Sequence, residues 1–576
     1  MGDAPEKSRV DEVINVGEGP SVFIVGAGIG AISLGLELDR NGLTNWKMYE
    51  RMGGVGGTWW TNRYPGCRCD VPVIVYSHSR FPNPNWTETH PSRAEMQQYW
   101  QDITENQNLT SRINLNTNVV RADWDPKRKV YYVTIDSPTG RRVIETQIIV
   151  SAAGGLSNPR MIDAKNRSLY KGTMVHAADW PEELTIDSLK GKHVVVVGNG
   201  CSGVQIIGEL GTHKDINITG VARTKQWFVP SNPIRPYSSQ KRHSVPYPAA
   251  VRALFKYLPV TQWVARMVII KVMDSVFYLS LDKEGAKARK FVEKQFGTWM
   301  KKRLPEYMRK DAVPDHSIGA RRLIFEDGYF EALNQPNVKA IRGKVVEFKE
   351  DSVVLDTGDE VKADLIVLAT GYDAETKHFD VNGASDKTSN YKSNAEWQMY
   401  HGVSLPGMSN WFALLGNNTG INHMSILAIL EINANYITEL IKNMRDYNVK
   451  ELSPKKEKAI EYDDWVQKEL HRTTWYQTET YWRTGGGKGK IFTHYPGSVA
   501  QFKRQNGHPE FEDFEGGEVI VKGHRNRKIL RSLLLIGAIV AASYTAPGAQ
   551  VKDVVLGTAE STIHKVYEWT LNRVVG

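Results

Sequence analysis

Cysteine is scarce in this 576-residue chain, which has only Cys67, Cys69 and Cys201. So few cysteines exclude a disulfide framework and are typical of a protein in a reducing, intracellular compartment. The N-terminal stretch MGDAPEKSRVDEV also lacks the apolar segment of a secretory signal. We therefore expect a cytoplasmic protein.

Dense charge of one sign is absent as well. The net charge of +9 is modest for this length, and no basic block is concentrated enough to predict nucleic-acid binding. The modest positive charge indicates anionic cofactors or a membrane surface instead. The composition, 41% hydrophobic and 24% charged, is that of an ordinary globular protein, and the length permits two or three domains with a large core.

Long apolar runs are rare, and the tail holds the one that needs interpretation. Ser532 to Val551 contains no charged residue, but its dense apolar part, Leu533 to Ala542, is short and Pro547 follows soon after. Two alternatives stay open: a tail helix buried on the protein, or a membrane contact supported by the preceding basic stretch GHRNRKILR. The pattern of Val551 to Val575 predicts a terminal amphipathic helix.

The first motif with chemical content is a glycine-rich turn after a buried strand. SVFIVG runs into GAGIGA with the spacing Gly26-x-Gly28-x-x-Ala31, and a helical pattern follows. Such a turn lets the backbone approach a pyrophosphate, which the helix N-terminus then binds. The next strand ends at Glu50, at the spacing expected for an acid that accepts from ribose hydroxyls. This order of elements predicts a dinucleotide site suited to FAD.

A second turn of the same kind follows the strand HVVVV. The next strand along the chain, INITGVART, ends in Arg223 and Thr224 rather than in an acid. Because a guanidinium pairs with a 2′-phosphate, this cradle is suited to NADPH, although a solvated surface arginine is the alternative for Arg223. The residues expected at this turn are Gly198, Asn199, Gly200, Cys201, Ser202, Gly203, Val204 and Gln205.

These patterns predict an α/β fold with two Rossmann-like dinucleotide-binding domains, one for FAD and one for NADPH, and a helical insertion. The strands IIVSAAGG and ADLIVLATG indicate that the chain leaves the FAD domain near Gly155 and returns near Asp364. The expected segments are an N-terminal extension (1–20), FAD domain (21–160), NADPH domain (161–230), helical insertion (231–318), NADPH return (319–363), FAD return (364–515) and an apolar tail (516–576).

The segment YKGTMVHAADWP, Tyr170 to Pro181, lies between the two cradles. It resembles the fingerprint of type I Baeyer–Villiger monooxygenases, with Tyr170 in place of the usual phenylalanine. The flanking segments GGTWWTNRYPGCRCDVP and GARRLIFEDGYFEALNQPNV are similar to the family's flavin-contacting and arginine-containing segments. The resemblance runs from about Ser21 to Phe502 and is closest to long, fungal-type members. The matching fingerprint positions are Gly172, His176, Trp180 and Pro181.

The resemblance implies an enzyme that uses FAD, NADPH and O₂ to convert a ketone into an ester or lactone. It implies that Arg322 stabilises negative charge on oxygen and that Asp70, beside the flavin, holds Arg322 in place. It also implies that Arg321, which replaces the usual lysine, joins Arg223 and Thr224 on the 2′-phosphate. The positions expected against FAD by alignment are Glu50, Thr58, Trp59, Trp60, Arg68, Cys69, Asp70 and Tyr76.

Alternatives to these assignments remain. Metal binding by Cys67 and Cys69 is disfavoured because no second ligand pair has a recognisable spacing, so we expect no metal. The apolar insert from Pro246 to Leu281 suggests that the ketone is bulky and lipophilic, with the insert as either a pocket wall or an interfacial docking segment. We also expect a role in secondary metabolism. An N- or S-oxygenating flavin monooxygenase and a non-catalytic flavoprotein are the alternative functions. The oligomeric state cannot be read from the sequence.

Overall fold

The structure, a computed structural model, describes residues 10–230, 244–383 and 396–545. The chain forms two compact units. The larger unit comprises Met1–Lys442 and Ser453–Pro509, and the smaller comprises Asn443–Leu452 and Glu510–Gly576. The larger unit contains both predicted dinucleotide cradles.

The first cradle belongs to a sheet of five parallel strands. Its central strand is buried along its whole length, as expected for a parallel strand covered on both faces. A helix, Ile29–Arg40, follows this strand directly. In sheet order the strands are Trp411–Ala413, Ile148–Ser151, Val22–Val25, Trp46–Tyr49 and Ile113–Asn114.

The second cradle belongs to another sheet of five parallel strands. In sheet order these are Val338–Arg342, Asn217–Ala222, His193–Val197, Leu365–Leu368 and Thr173–His176. Leu365–Leu368 therefore lies inside this sheet. The sequence instead predicts that this strand begins the return to the FAD domain at Asp364. A buried apolar strand does not reveal from its own residues which sheet it joins.

The chain also forms sheets that are not purely parallel and several short strand pairs. One mixed sheet has the order Glu12–Val13, Gly140–Thr146, Val130–Ser137, Asn118–Asp125 and Asp380–Asn382. An antiparallel sheet contains Val345–Phe348, Ser352–Leu355 and Glu360–Lys362. The remaining strands are Phe228–Val229, which pairs with Ile324–Phe325, and the short Ser453–Pro454 and Phe514–Glu515.

The expected insertion is helical, with Ala249–Tyr257, Pro259–Ser275 and Ala286–Arg303 as its main helices. Residues 231–243 of that segment lie outside the described residues. The other α-helices are Thr58–Thr61, Val73–Tyr76, Arg93–Asn106, Cys201–Leu210, Glu306–Arg309, Tyr329–Leu333, Ile426–Asp446, Lys456–Leu470, Thr484–Gly487, Val499–Asn506 and Glu518–Thr545.

In the smaller unit the main element is the helix Glu518–Thr545. Gly523 packs on the ring of Tyr447, where a Cβ would meet the ring at 2.0 Å. Leu533, Leu534 and Leu535 are more than half exposed, so these leucines are not buried as the tail-helix alternative expected. Within the described residues no helix is long and apolar enough to cross a membrane. The end of the uncharged run and the predicted helix from Val551 to Val575 lie outside the described residues.

Candidate active site

The first cradle is built from two glycine-rich backbone segments that lie side by side. Gly26 has a φ of +97°, a conformation in which glycine is strongly preferred, and a Cβ there would meet the carbonyl oxygen of Ala152 at 2.9 Å. Gly28 lies against Gly57, whose own Cβ would meet the Cα of Gly28 at 2.9 Å. Only glycines fit this close approach, which keeps side chains out of the cradle.

The Glu50 carboxylate closes one end of this cradle. Its Oε2 accepts from the backbone N–H of Ala27 and its Oε1 from that of Met52, each at 2.8 Å. The helix that begins after Gly28 has no side chain capping its first N–H groups. These donors, with the dipole of the helix, suit a pyrophosphate, so the cradle fits FAD.

The second cradle has the same construction. Gly198 has a φ of +117°, and a Cβ on Gly203 would meet the carbonyl oxygen of Gly198 at 2.1 Å. A Cβ on Gly200 would meet nothing within 4 Å, so this position opens onto free space. Asn199 donates from Nδ2 to the carbonyl oxygen of Thr224 at 3.0 Å, which joins the turn to the end of the neighbouring strand.

Two arginines lie together near the end of that strand. Burial and the nearby positive charge of Arg223 both lower the pKa of Arg321. The buried Nε of Arg321 has no hydrogen-bond partner among the described residues, while its Nη2 donates to the carbonyl oxygen of Glu479 at 2.9 Å. A cation pair with an unused buried donor fits an anion such as a 2′-phosphate. The second cradle therefore fits NADPH.

The structure brings the two predicted catalytic residues into direct contact. Arg322 donates from Nη2 to Oδ2 of Asp70 at 2.5 Å and from Nε to Sγ of Cys201 at 3.4 Å. Cys201 starts the second cradle helix, so this ion pair lies at the mouth of the second cradle. The Arg322 side chain is still 43% exposed, which leaves its guanidinium accessible.

The two charges of this pair stabilise each other. The negative charge of Asp70 raises the pKa of Arg322. Burial alone would raise the pKa of Asp70, but the charge and hydrogen bonding of Arg322 outweigh it and leave that pKa below its usual value. Both groups are therefore ionised at neutral pH.

Further residues surround this pair that the sequence motifs do not identify. His494 feels the charge of Arg322, and burial followed by that charge lowers its pKa to about 3. Burial likewise lowers the pKa of His90, beside Asp70, to about 4. Both imidazoles are therefore neutral. His494 also packs on Trp482, with ring centroids 4.2 Å apart. His494 begins the segment HYPGSVAQF, residues 494–502. Nothing in the spacing of this segment indicates that it lies close to Arg322, which is distant in the chain.

The expected flavin-contacting residues are only partly grouped around the ion pair. Thr58, Trp59 and Trp60 form the short helix that follows Gly57. Trp59 meets the ring of Tyr76 edge-on at 5.8 Å, and Tyr76 feels the charges of Asp70 and Arg322. Trp60 instead lies against Gly54 and under the guanidinium of Arg63.

Several of the predicted residues make contacts within the protein. Arg68 lies 3.3 Å from a carboxylate oxygen of Asp327 and 3.6 Å from one of Glu88, so its charge is balanced by acids. Gln205 accepts from the hydroxyl of Tyr64 and donates to the backbone of Arg68. Val204 is fully buried in the core.

The three cysteines are free thiols. Burial raises the pKa of Cys67 to about 12 and raises that of Cys69 further, so both thiols stay protonated at neutral pH. Among the described residues no group of three or more His, Cys, Asp or Glu side chains could hold a metal ion.

Comparisons with known proteins agree with this geometry. The model of the pyridine nucleotide-disulphide oxidoreductase family matches residues 23–257. A Baeyer–Villiger monooxygenase of Streptomyces coelicolor is 27% identical, covering 86% of this chain and 92% of the relative. The FAD-binding monooxygenase ktnD of Aspergillus niger is 28% identical, covering 86% of this chain and 81% of its own.

Solved structures share the fold. Cyclohexanone monooxygenase from a Rhodococcus species, bound to NADP⁺, superimposes with a TM-score of 0.72 at 20% identity, over 85% of this chain and 96% of that one. A complex of the enzyme OTEMO with FAD and NADP superimposes with a TM-score of 0.71 at 21% identity, over 86% of this chain and 98% of that one.

The paired cradles on two parallel sheets define a flavoprotein with two dinucleotide-binding sites. Within that class, the curated relatives and the segment from Tyr170 to Pro181 identify the group more closely. Over most of its length the chain is similar to Baeyer–Villiger monooxygenases.

Proposed function

We propose that this protein is an FAD- and NADPH-dependent monooxygenase that inserts one oxygen atom of O₂ beside a ketone carbonyl, giving an ester or lactone. The observation that carries this proposal is the contact between Arg322 and Asp70 at the mouth of the second cradle. A fixed cation that remains accessible is what an oxygen insertion through anionic oxygen requires.

The residues that would hold the cofactors follow from the two cradles. FAD would lie on the turn at Gly26 and Gly28, with Glu50 toward its ribose. NADPH would lie on the turn at Gly198 and Gly200, with its 2′-phosphate between Arg223, Thr224 and Arg321. When bound, the nicotinamide supplies a hydride and the flavin supplies the activation of O₂.

Arg322 would stabilise the negative charge on oxygen as the ketone carbonyl is attacked. Asp70 fixes the position of the guanidinium and keeps it protonated, because the pair is ionised throughout the neutral range. The neutral imidazoles of His494 and His90 add no competing positive charge to the site. The protein thereby presents the fixed guanidinium of Arg322 to the developing anion.

A bulky, lipophilic ketone is the substrate class that the insertion favours. Ile269, Ile270 and Met273 of its second helix pack against a cluster that includes Ile74 and Val75. These two residues belong to the short helix that ends at Tyr76, close to Asp70. The insertion thus forms an apolar wall behind the candidate site. A role in secondary metabolism stays a prediction.

Product analysis with isotopically labelled O₂ and a panel of cyclic ketones tests the reaction. We expect one labelled atom in the ring of the product. Arg322→Ala should still oxidise NADPH but form ester about 10²- to 10³-fold more slowly, because one preorganised charge is lost. Arg322→Lys, which keeps a cation without the planar fork, should retain part of the activity. Normal ester formation by Arg322→Ala would contradict the assignment.

The same experiment separates the alternative functions. An N- or S-oxygenase would oxidise a sulfide better than any ketone, and with an opposite pH dependence, because an electrophilic oxygen donor must be protonated. A non-catalytic flavoprotein would not oxidise NADPH at a steady rate.

Contact of the tail with a membrane also stays a prediction. It is supported by the exposed Leu533, Leu534 and Leu535 and by the basic stretch that precedes them. Vesicle binding by a Leu533→Ser/Leu534→Ser variant tests it.

A further inference from the structure

A stripe of apolar side chains is exposed on the helical insertion. The helices Ala249–Tyr257 and Pro259–Ser275, which we call the insert hairpin, contact each other directly. On the second helix the exposed residues recur at helical spacing, so they share one face. The exposed large apolar residues of the hairpin are Leu254, Tyr257, Leu258, Val260, Trp263, Val264, Met267, Val268 and Val272.

The opposite face of the second helix is fixed by polar contacts. Arg266 donates from Nη1 to the carbonyl oxygens of Ile74 and Ser77, at 3.0 and 2.6 Å, and burial lowers its pKa. Gln262 donates to the carbonyl oxygen of Asn83 at 2.9 Å. Rotating the helix to bury the stripe would break these buried contacts, at a cost of about 1–3 kcal/mol for each group left unsatisfied. The stripe is therefore held outward.

The exposed charged residues of the hairpin have one sign. From Ile216 to Met273 the sequence contains lysine and arginine but no aspartate or glutamate. Two exposed lysines, Lys256 and Lys271, lie on the hairpin itself, one on each helix. Long lysine side chains can extend from an apolar surface toward anionic headgroups. Trp263 and Tyr257, which are 61% and 77% exposed, are residue types enriched where a bilayer meets water.

We propose that the insert hairpin docks on the surface of a bilayer that contains anionic phospholipid. The apolar stripe would lie among the outer parts of the acyl chains, with Lys256 and Lys271 at the headgroups. Since the inner face of the same hairpin packs beside the candidate site, docking places the apolar wall next to the lipid phase in which a lipophilic ketone would be dissolved.

A second copy of the chain fits this surface less well. A two-fold dimer would bring the same lysines of both copies together, while the acid of the hairpin, Asp274, is only 15% exposed and already accepts from the backbone of Val499 and Ala500. Lysine is also depleted at the centres of protein interfaces. An anionic lipid surface satisfies both the apolar stripe and its charge.

Co-sedimentation of the FAD-loaded protein with vesicles tests the proposal. We expect strong binding to phosphatidylcholine vesicles containing phosphatidylserine and weaker binding to phosphatidylcholine alone. Trp263→Ser/Val268→Ser should lower the partition coefficient on both by at least about tenfold, because apolar area no longer leaves water. Lys256→Gln/Lys271→Gln should lower it by about 25-fold on the anionic vesicles only.

Matched variants control for folding and for the tail. Phe291→Ser removes a 65% exposed ring from the helix Ala286–Arg303, outside the hairpin, and should leave binding unchanged. All variants should keep wild-type NADPH oxidation, because none of these residues belongs to the cradles or the ion pair. Arg322→Ala should bind vesicles normally, so failure of the proposed reaction and failure of docking are distinguishable.

Two results would overturn the proposal. One is binding that is lost in Leu533→Ser/Leu534→Ser but unchanged in both hairpin variants. The other is a wild-type dimer in analytical ultracentrifugation that becomes monomeric in Trp263→Ser/Val268→Ser, with no vesicle binding by either protein. The second result would assign the stripe to self-association.

Discussion

At the scale of single residues, the candidate site depends on a guanidinium that keeps its charge. The pKa of Arg322 lies above its ordinary value because Asp70 is adjacent, while the pKa of Asp70 lies below its own. A depressed carboxyl pKa stabilises the fold above the unfolded-state value, and the stabilisation is lost as pH falls through the folded-state value. The pair therefore does not titrate near neutrality. Any change in activity with pH near neutrality should come from other groups.

Glu326 behaves in the opposite way, because burial and then the nearby Glu331 raise its pKa to about 8. The folded state therefore holds a proton that the unfolded state loses above about pH 4.3. Stability contributed by this protonated carboxyl is present below that pH and falls as pH rises toward about 8.

Glu326→Gln should remove this decline, because an amide cannot lose the proton. We expect the variant to melt at about the wild-type temperature near pH 5 and at a higher temperature near pH 9. Thermal melts across this range measure the difference. Glu105→Gln, an exposed control, should follow the wild type at every pH. A difference in melting temperature that is the same at every pH would contradict the conclusion that the proton on Glu326 stabilises the fold.

At the scale of elements, the second cradle separates two uses of glycine. Gly203 is needed for packing, because a Cβ there meets the carbonyl oxygen of Gly198 at 2.1 Å. Gly200 has an ordinary φ of −75° and open space around its missing Cβ. The space at Gly200 is where a pyrophosphate would approach the backbone.

Gly203→Ala should lower stability by about 1–3 kcal/mol through overpacking. Gly200→Ala should melt like the wild type and keep its FAD, yet raise the KM for NADPH about 10- to 100-fold by displacing one charge-assisted contact. Melting curves, flavin absorbance and NADPH kinetics distinguish the two effects. Equal loss of stability in both variants would show that Gly200 is also a packing residue.

The cradles are predictable from sequence because their signal is local: a strand, three small residues at fixed spacing, and a helix. The contact between Arg322 and Asp70 was available only through the family resemblance, since no local pattern joins residues so far apart. His494 and Trp482 reach the site through long-range topology, which periodicity does not encode. For the same reason the sequence does not reveal the sheet that Leu365–Leu368 joins, because its partner strands lie far away in the chain.

At the scale of the larger unit, the carboxylate of Asp274 is one of the groups that join the insertion to the rest of the chain, here to the start of the helix Val499–Asn506. Asp274 ends the second hairpin helix and accepts from the backbone N–H groups of Val499 and Ala500, at 2.6 and 3.2 Å. It also contacts Nε2 of His423 at 3.2 Å. These hydrogen bonds outweigh the effect of burial and leave the pKa of Asp274 below its usual value. One side chain thus holds three separate groups.

Asp274→Ala should loosen the insertion without affecting either cradle. The loss of charge-assisted hydrogen bonds should lower stability by about 2 kcal/mol, while Asp274→Asn, which keeps one acceptor oxygen, should lose less. Amide exchange should become faster in Pro259–Ser275 and at the start of Val499–Asn506, as measured by mass spectrometry. Ser275→Ala is the matched control, because its hydroxyl bonds only within its own helix. If exchange in these segments matches the wild type, the insertion is held by its other contacts, which are the hydrogen bonds of Arg266 and Gln262 and its apolar face.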